Sequence, residues 1–145
     1  MAEARRLAAA TGRLGNVPVG AVVLCGGEIV AKAANLRDTL ADPTAHAELL
    51  ALADAGRARG DWRLEDATLV VTLEPCPMCA GALLEARVGR VVYGATEPRT
   101  GAVESRFRLL DGAPVEVVPG VEAQACEALL ADFFEELRRH RTRGA

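Results

Sequence analysis

Ala67-Thr-Leu-Val-Val-Thr-Leu73 runs without a break into Glu74-Pro-Cys-Pro-Met-Cys79. The first segment is apolar or β-branched throughout, the composition of a strand buried on both faces. The second opens a helix that runs to about Arg87, because a proline just inside a helix start is favourable. A buried strand feeding a helix is half of an alternating α/β unit. On the N-terminal side, Ala45 to Arg59 predicts a helix with an apolar face at Leu49, Leu50, Leu52 and Ala53, and Thr44 is its expected N-cap. Before it, Val19 to Cys25 and Glu28 to Ala33 read as strands joined by the two-residue turn Gly26-Gly27. Asn35 to Pro43 reads as a polar turn, and Ala2 to Ala10 as a helix. On the C-terminal side, Val91 to Tyr93 and Val115 to Val118 are short strands. The connection from Glu97 to Leu110 has room for a short helix, and it is long enough to let those strands run parallel. Ala123 to Arg139 closes the chain as an amphipathic helix, with Cys126, Leu129, Leu130, Phe133, Phe134 and Leu137 as its stripe, and the phenylalanines are expected in the core. The expected fold is α/β: a three-layer α/β/α sandwich around a mixed five-stranded sheet.

Residues 1–145 fit one domain. Half of them are hydrophobic and 26% are charged, which is a globular composition rather than a disordered one. No apolar run approaches the roughly 20 residues that span a bilayer. Met1 to Arg6 lacks the pattern of a secretory signal, so the expected location is the cytoplasm and no membrane association is expected. The net charge of −3 gives no global sign of nucleic-acid binding. The C-terminal run Arg138, Arg139, His140, Arg141 and Arg143 is basic; it suits either a solvated helix end or a phosphate-contacting tail. Cys25 and Cys126 sit in apolar surroundings and read as small buried residues.

The chemistry concentrates in two short motifs. Cys76 and Cys79 stand at i and i+3 on a helix start, so they share a face, and the positive end of the helix favours their thiolates. A redox Cys-x-x-Cys pair is the competing reading, but it leaves His46 and Glu48 in Pro43-Thr-Ala-His-Ala-Glu48 unexplained. His-x-Glu followed by Pro-Cys-x-x-Cys is the signature of zinc deaminases. Two thiolates and one imidazole leave the fourth zinc position open, whereas a structural site is closed by a fourth protein ligand. None stands at a ligand spacing nearby. Residues two apart in mid-helix diverge, so His46 and Glu48 can serve one site only at a helix entrance. The expected cofactor is one Zn²⁺ per subunit with a bound water or hydroxide, on His46, Cys76 and Cys79. Glu48 is the expected catalytic acid and base, moving protons from the water to the ring nitrogen and the leaving amine.

The chain resembles the bacterial tRNA-specific adenosine deaminases of the cytidine-deaminase-like superfamily. The resemblance rests on Val17-Pro-Val-Gly-Ala21, Asn35, Asp42-Pro-Thr-Ala-His-Ala-Glu48, Asp61-Trp-Arg-Leu64, Asp66-Ala-Thr-Leu69, Val71-Thr-Leu-Glu-Pro-Cys76, Met78-Cys-Ala-Gly-Ala82, Val91-Val-Tyr-Gly-Ala95 and Leu129-Leu-Ala-Asp-Phe-Phe134. It implies a cytidine-deaminase-like fold, a homodimer, and conversion of adenosine to inosine at the wobble position of a tRNA anticodon. It also implies that Asn35, Val17, Ala47 and Pro75 hold the flipped base, and that Glu97, Arg99, Phe134 and Arg138 contact RNA. The chain departs from the family after Ala95. Glu97 and Arg99 replace an aspartate and a basic residue, Glu104-Ser105 replaces Gly-Ser, and Arg106 to Pro114 is short and lacks an Asn-His element. A deaminase of a free base or nucleoside, such as guanine, cytosine or a modified purine, therefore stays open as the alternative. A zinc-stabilised RNA-binding module without catalysis is a third reading, and it needs the fourth protein ligand that is missing.

Overall fold

In the computed structural model, which describes residues 1–144, the sheet grows outward from β3 (Ala67–Leu73). The domain expected over 1–145 thus has only Ala145 outside the described residues. β1 (Gly20–Cys25) pairs antiparallel with β2 (Glu28–Ala34) and with β3. β4 (Arg90–Ala95) pairs parallel with β3, and β5 (Glu116–Val118) pairs parallel with β4. The order is β2-β1-β3-β4-β5, a mixed five-stranded sheet as expected. Cys25 pairs with Glu28 across the two-residue turn. Gly26 (φ 59°) and Gly27 (φ 80°) both take positive φ, which a two-residue hairpin of this kind requires.

Side chains alternate across each strand, so the two faces of the sheet meet different helices. Ala21, Val23, Leu69, Val71, Val91 and Tyr93 belong to one buried cluster with Ala51, Ala55, Ala80 and Leu83. These last come from α3 (Ala47–Arg59) and α4 (Pro77–Glu85), which pack against each other. The opposite face meets α1 (Ala2–Arg13) and α5 (Ala123–Arg143), which also touch each other. Close approach there demands glycine. A Cβ on Gly20 would lie 2.0 Å from the Ala4 carbonyl oxygen of α1, and one on Gly94 would lie 2.4 Å from Cys126 Sγ of α5.

Several expectations need correction. α1 runs on to Arg13 and β4 extends over Arg90–Ala95. The stretch expected as a plain turn after Asn35 contains α2 (Arg37–Leu40), which ends on a left-handed residue, Ala41. The 97–110 connection forms turns and no helix. Some of its amides close turns within the segment, at Gly101, Arg106, Phe107 and Leu109, and others find partners on neighbouring segments. α5 continues through the basic run to Arg143, but its apolar stripe is shallower than expected. Cys126 is buried, Phe133 and Phe134 are half-buried, and Leu137 is exposed. The phenylalanines meet edge to face, with centroids 5.3 Å apart. Cys25 is only half-buried, with the Arg59 guanidinium donating to its sulfur at 3.3 Å. Among the described residues no helix is long and apolar enough to cross a membrane.

Candidate active site

Two helix entrances meet at the carboxyl end of β3. α3 starts at Ala47, with His46 as N-cap (φ −74°, ψ 148°), and α4 starts at Pro77, with Cys76 as N-cap (φ −75°, ψ 174°). Neither N-cap side chain bonds back to its own helix. Thr44, the expected cap of α3, is turned the other way. Its amide and hydroxyl both donate to Asp42 Oδ1, at 2.8 and 2.7 Å, and close a polar turn ahead of the helix. The helix therefore begins later than the cap chemistry suggests, and an extended residue stands where a capping side chain would. His46 and Cys76 are free to face each other because neither is spent on capping.

His46 Nδ1 lies 3.6 Å from Cys76 Sγ and 3.5 Å from Cys79 Sγ. All three potential ligand atoms fall within 4.8 Å of one another, close enough to hold one metal ion. Tetrahedral zinc, with Zn–S about 2.3 Å and Zn–N about 2.1 Å, separates a sulfur from a nitrogen by about 3.6 Å. The donor set fits zinc on both spacing and chemistry. It contains no fourth protein ligand among the described residues, which is the open arrangement of a catalytic site.

Glu48 is the second residue of α3 and is 4% exposed. Its Oε2 accepts from Cys79 Sγ at 2.6 Å and lies 3.9 Å from His46 Nδ1. Burial pushes its carboxyl up to about 6, against opposing pulls from Cys79 and His46. The two cysteines separate in the same way as two carboxylates sharing a site. The neighbouring Cys79 brings the Cys76 thiol down to about 4, with His46 assisting, while Cys79 is driven far up by Cys76, burial and the Glu48 charge. The hydrogen bond to Cys76 raises the pKa of His46. In this arrangement Cys76 is the ready thiolate and Cys79 holds the proton that a metal would displace.

A cavity of about 120 Å³ opens over these groups, lined by Val17, Asn35, His46, Ala47, Glu48 and Glu97 among others. Asn35 is 7% exposed; its amide nitrogen donates to the Val17 carbonyl at 3.1 Å and its Oδ1 accepts the Arg37 amide at 3.1 Å. One amide hydrogen and one lone pair remain available to a ligand. Ala47 contributes the first backbone amide of α3, which has no partner within the helix. Pro75 departs from the expectation. It is fully buried and does not line the cavity, and its carbonyl instead accepts the Ala102 amide at 2.8 Å. Of the residues expected to contact RNA, Glu97 alone lines the cavity. Arg99 sits beside it with its side chain 85% exposed, and Phe134 and Arg138 lie on α5 away from the cavity wall. The sequence reading missed Arg37, Glu74 and Thr100, which also line the cavity. No periodicity marks them, and the shared edge of β3, α2 and the loop after β4 brings them in.

Residues 1–95 match the family model described as the cytidine and deoxycytidylate deaminase zinc-binding region. The tRNA-specific adenosine deaminase of Bacillus subtilis (strain 168) is 48% identical over 143 residues, covering 96% of this chain and 89% of that protein. The protein of that name from Haemophilus influenzae is 42% identical over 146 residues, covering 97% and 84%. A solved structure from work on A-to-I editing by tRNA:A34 deaminases superposes with a TM-score of 0.84 at 39% identity, covering 88% of this chain and 95% of that one. Fold, donor set and likeness together define a zinc-dependent hydrolytic deaminase. The chain belongs to the cytidine and deoxycytidylate deaminase family, in the branch of the tRNA-specific adenosine deaminases.

Proposed function

We propose that residues 1–145 act as one domain that converts adenosine to inosine at the wobble position of a tRNA anticodon. Likeness to tRNA-specific adenosine deaminases over nearly the whole chain carries this reading. His46, Cys76 and Cys79 hold one zinc ion. When bound, zinc supplies a water acidified towards neutral pH, a nucleophile for the amine-bearing carbon. Glu48, with its carboxyl near 6, carries both protons of the water in turn: the first goes to the ring nitrogen, and the second, taken from the hydroxyl added to the carbon, goes to the departing amine. Ammonia leaves and a carbonyl remains. Asn35 reads the base edge, while Val17 and the backbone at Ala47 clamp its face, with Pro75 acting from behind through its carbonyl. A base held this way has left its stack, which costs least in a single-stranded loop. Glu97 and Arg99 meet the nucleotides beside it. Phe134 and Arg138, one turn apart on α5, form an outer contact.

The protein works as a homodimer in the cytoplasm, where its four free cysteines stay reduced. The dimer uses the α3–α4 face. There an open cleft of about 970 Å³ is lined by Leu49, Leu52, Trp62 and Ala82, and Trp62 is 54% exposed. One exposed aromatic beside leucines, with Arg57, Asp61, Arg63 and Glu85 around them, suits an apolar centre with a charged rim.

The decisive experiment compares ammonia release from an anticodon stem-loop and from a panel of free bases, for the wild type and Glu48→Ala. The expected result is activity on the stem-loop, abolished in Glu48→Ala with zinc still stoichiometric. Turnover of free guanine or cytosine with none on the stem-loop overturns the substrate; an active Glu48→Ala, or one stripped of zinc, overturns the role of Glu48.

A further inference from the structure

Glu74 has a carboxylate the deamination chemistry does not use. It is 2% exposed and stands between β3 and Cys76. Its Oε2 accepts the backbone amides of Val103 (3.2 Å), Glu104 (3.0 Å) and Ser105 (3.0 Å). Its Oε1 accepts the amide of Glu97 at 3.2 Å and the Ser105 hydroxyl. Every one of these donors belongs to the loop after β4, the segment that carries Glu97 and Thr100 into the cavity wall. The backbone adds two more ties, Glu74 N–H to the Ala95 carbonyl and Ala102 N–H to the Pro75 carbonyl, both at 2.8 Å.

We infer that Glu74 is the positioning residue of the substrate-facing loop, an internal anchor that fixes the Glu97–Thr100 wall relative to the metal ligands. The loop has no helix or strand to satisfy its amides, and one buried carboxylate takes four of them while turns within the loop take others. A carboxylate accepts several amides at once and offers no competing donor. Gly101 confirms how closely the loop wraps it: a Cβ there would stand 2.5 Å from Glu74 Cδ and Oε2 and 2.5 Å from the Glu97 carbonyl oxygen. Cys76 lies two residues on, so the anchor sets where the loop stands relative to the metal ligands without being held by them. Glu74 touches no reacting atom. It acts through the wall, so its loss shows in substrate capture before it shows in the chemical step.

The inference rests on the deaminase reading for its kinetic readout only. The test compares zinc-loaded wild type with Glu74→Ala and Glu74→Gln. Hydrogen exchange is followed across 97–105, zinc content is measured, and KM and kcat are separated on the stem-loop. Glu74→Ala is expected to speed exchange in the loop at least about tenfold, raise KM about tenfold or more and change kcat less, with zinc retained. Glu74→Gln keeps an acceptor for the Oε2 amides but points an NH₂ at the Glu97 amide, so it gives a smaller effect of the same kind. It also serves as the test if Glu74→Ala does not fold. Unchanged loop exchange in both variants overturns the anchor, as does loss of zinc in step with loop release. Exchange needs no substrate: a wild type inert on the stem-loop sinks the substrate reading, and the exchange result alone then decides the anchor.

Discussion

The two sides of the cavity are built by different means. On one side, His46, Glu48, Cys76 and Cys79 come from two helix starts at the end of one strand, and regular backbone aims their side chains. On the other, Glu97 and Thr100 come from an irregular loop, four of whose amides converge on a single buried carboxylate. The family model ends at residue 95, just before that loop. Helix entrances tolerate little change in what they present, because N-cap and first-turn positions have fixed directions. A loop held by backbone amides tolerates much, because an amide is the same whatever side chain it carries. The side chains of Glu97, Arg99 and Glu104 lie on that loop side, where the anchor takes backbone amides and does not depend on what they carry.

Breaking the helix side gives the largest effect. His46→Ala removes one of three ligands and leaves the Cys76–Cys79–Glu48 cluster unbalanced. Zinc content is expected to fall to background and deamination below detection. A variant that retains stoichiometric zinc, measured by plasma mass spectrometry on purified protein, would mean that another side chain completes the site.

Removing the metal without mutation should affect the two sides unequally. With zinc chelated, His46, Cys76 and Cys79 lose the ion that joins the two helix starts, whereas every tie to Glu74 is internal to the protein. Hydrogen exchange in 44–50 and 75–81 is expected to rise severalfold, and exchange in 97–105 is expected to change by less than half as much. Equal loosening on both sides would show that the loop is held through the metal. In the chelated protein the lowered Cys76 thiol is also expected to alkylate with iodoacetamide near pH 6, ahead of the raised and buried Cys79. Peptide mapping of the alkylated protein separates the two.

The same contrast explains what could be read from the sequence. The buried strand Ala67–Leu73 and the Gly26-Gly27 turn follow from local pattern, and each is found. The helix α3 is found too, but not the face expected of it: Leu49 and Leu50 are half-buried and Ala53 is exposed, while the small residues Ala47, Ala51 and Ala55 go inward with Leu52 because the helix lies close on the sheet. The ligand set was legible because zinc demands particular residue types at particular spacings. Thr44 misled because Ser and Thr serve equally well in a turn ahead of a helix, and only tertiary placement decides between the two. The region 97–110 misled for a deeper reason. Its order comes from Glu74, more than twenty residues upstream, and no local periodicity encodes a hydrogen bond to a distant carboxylate. Pro75 misled because a motif states that a residue matters and does not say which of its atoms does the work.

Gly101→Ala should come next in size. The added methyl meets the Glu74 carboxylate and the Glu97 carbonyl, neither of which is the loose end of a long side chain. Overpacking of this kind costs about 1–3 kcal/mol. A fall in unfolding free energy of that order is expected in denaturant titrations, with zinc stoichiometry intact and KM raised. If zinc is lost with it, the two sides are less independent than the hydrogen bonds imply.

Ser105→Ala is expected to have the smallest effect, and it measures how far the anchor relies on a side chain. The Ser105 hydroxyl shares Glu74 Oε1 with the Glu97 amide, while its own backbone amide goes to Oε2. Removing the hydroxyl leaves Oε1 with one donor and Oε2 with all three. A single hydrogen bond to a charged group contributes about 1.5–3 kcal/mol when its loss strands a partner, and nearer 1 kcal/mol when other donors remain. The latter applies here, so KM should rise about fivefold at most, since 1.4 kcal/mol is tenfold in an equilibrium constant. Loop exchange should change only near Glu97. A Ser105→Ala variant as damaged as Glu74→Ala would move the anchor from the backbone amides to one hydroxyl. The loop side would then be as dependent on particular side chains as the zinc side.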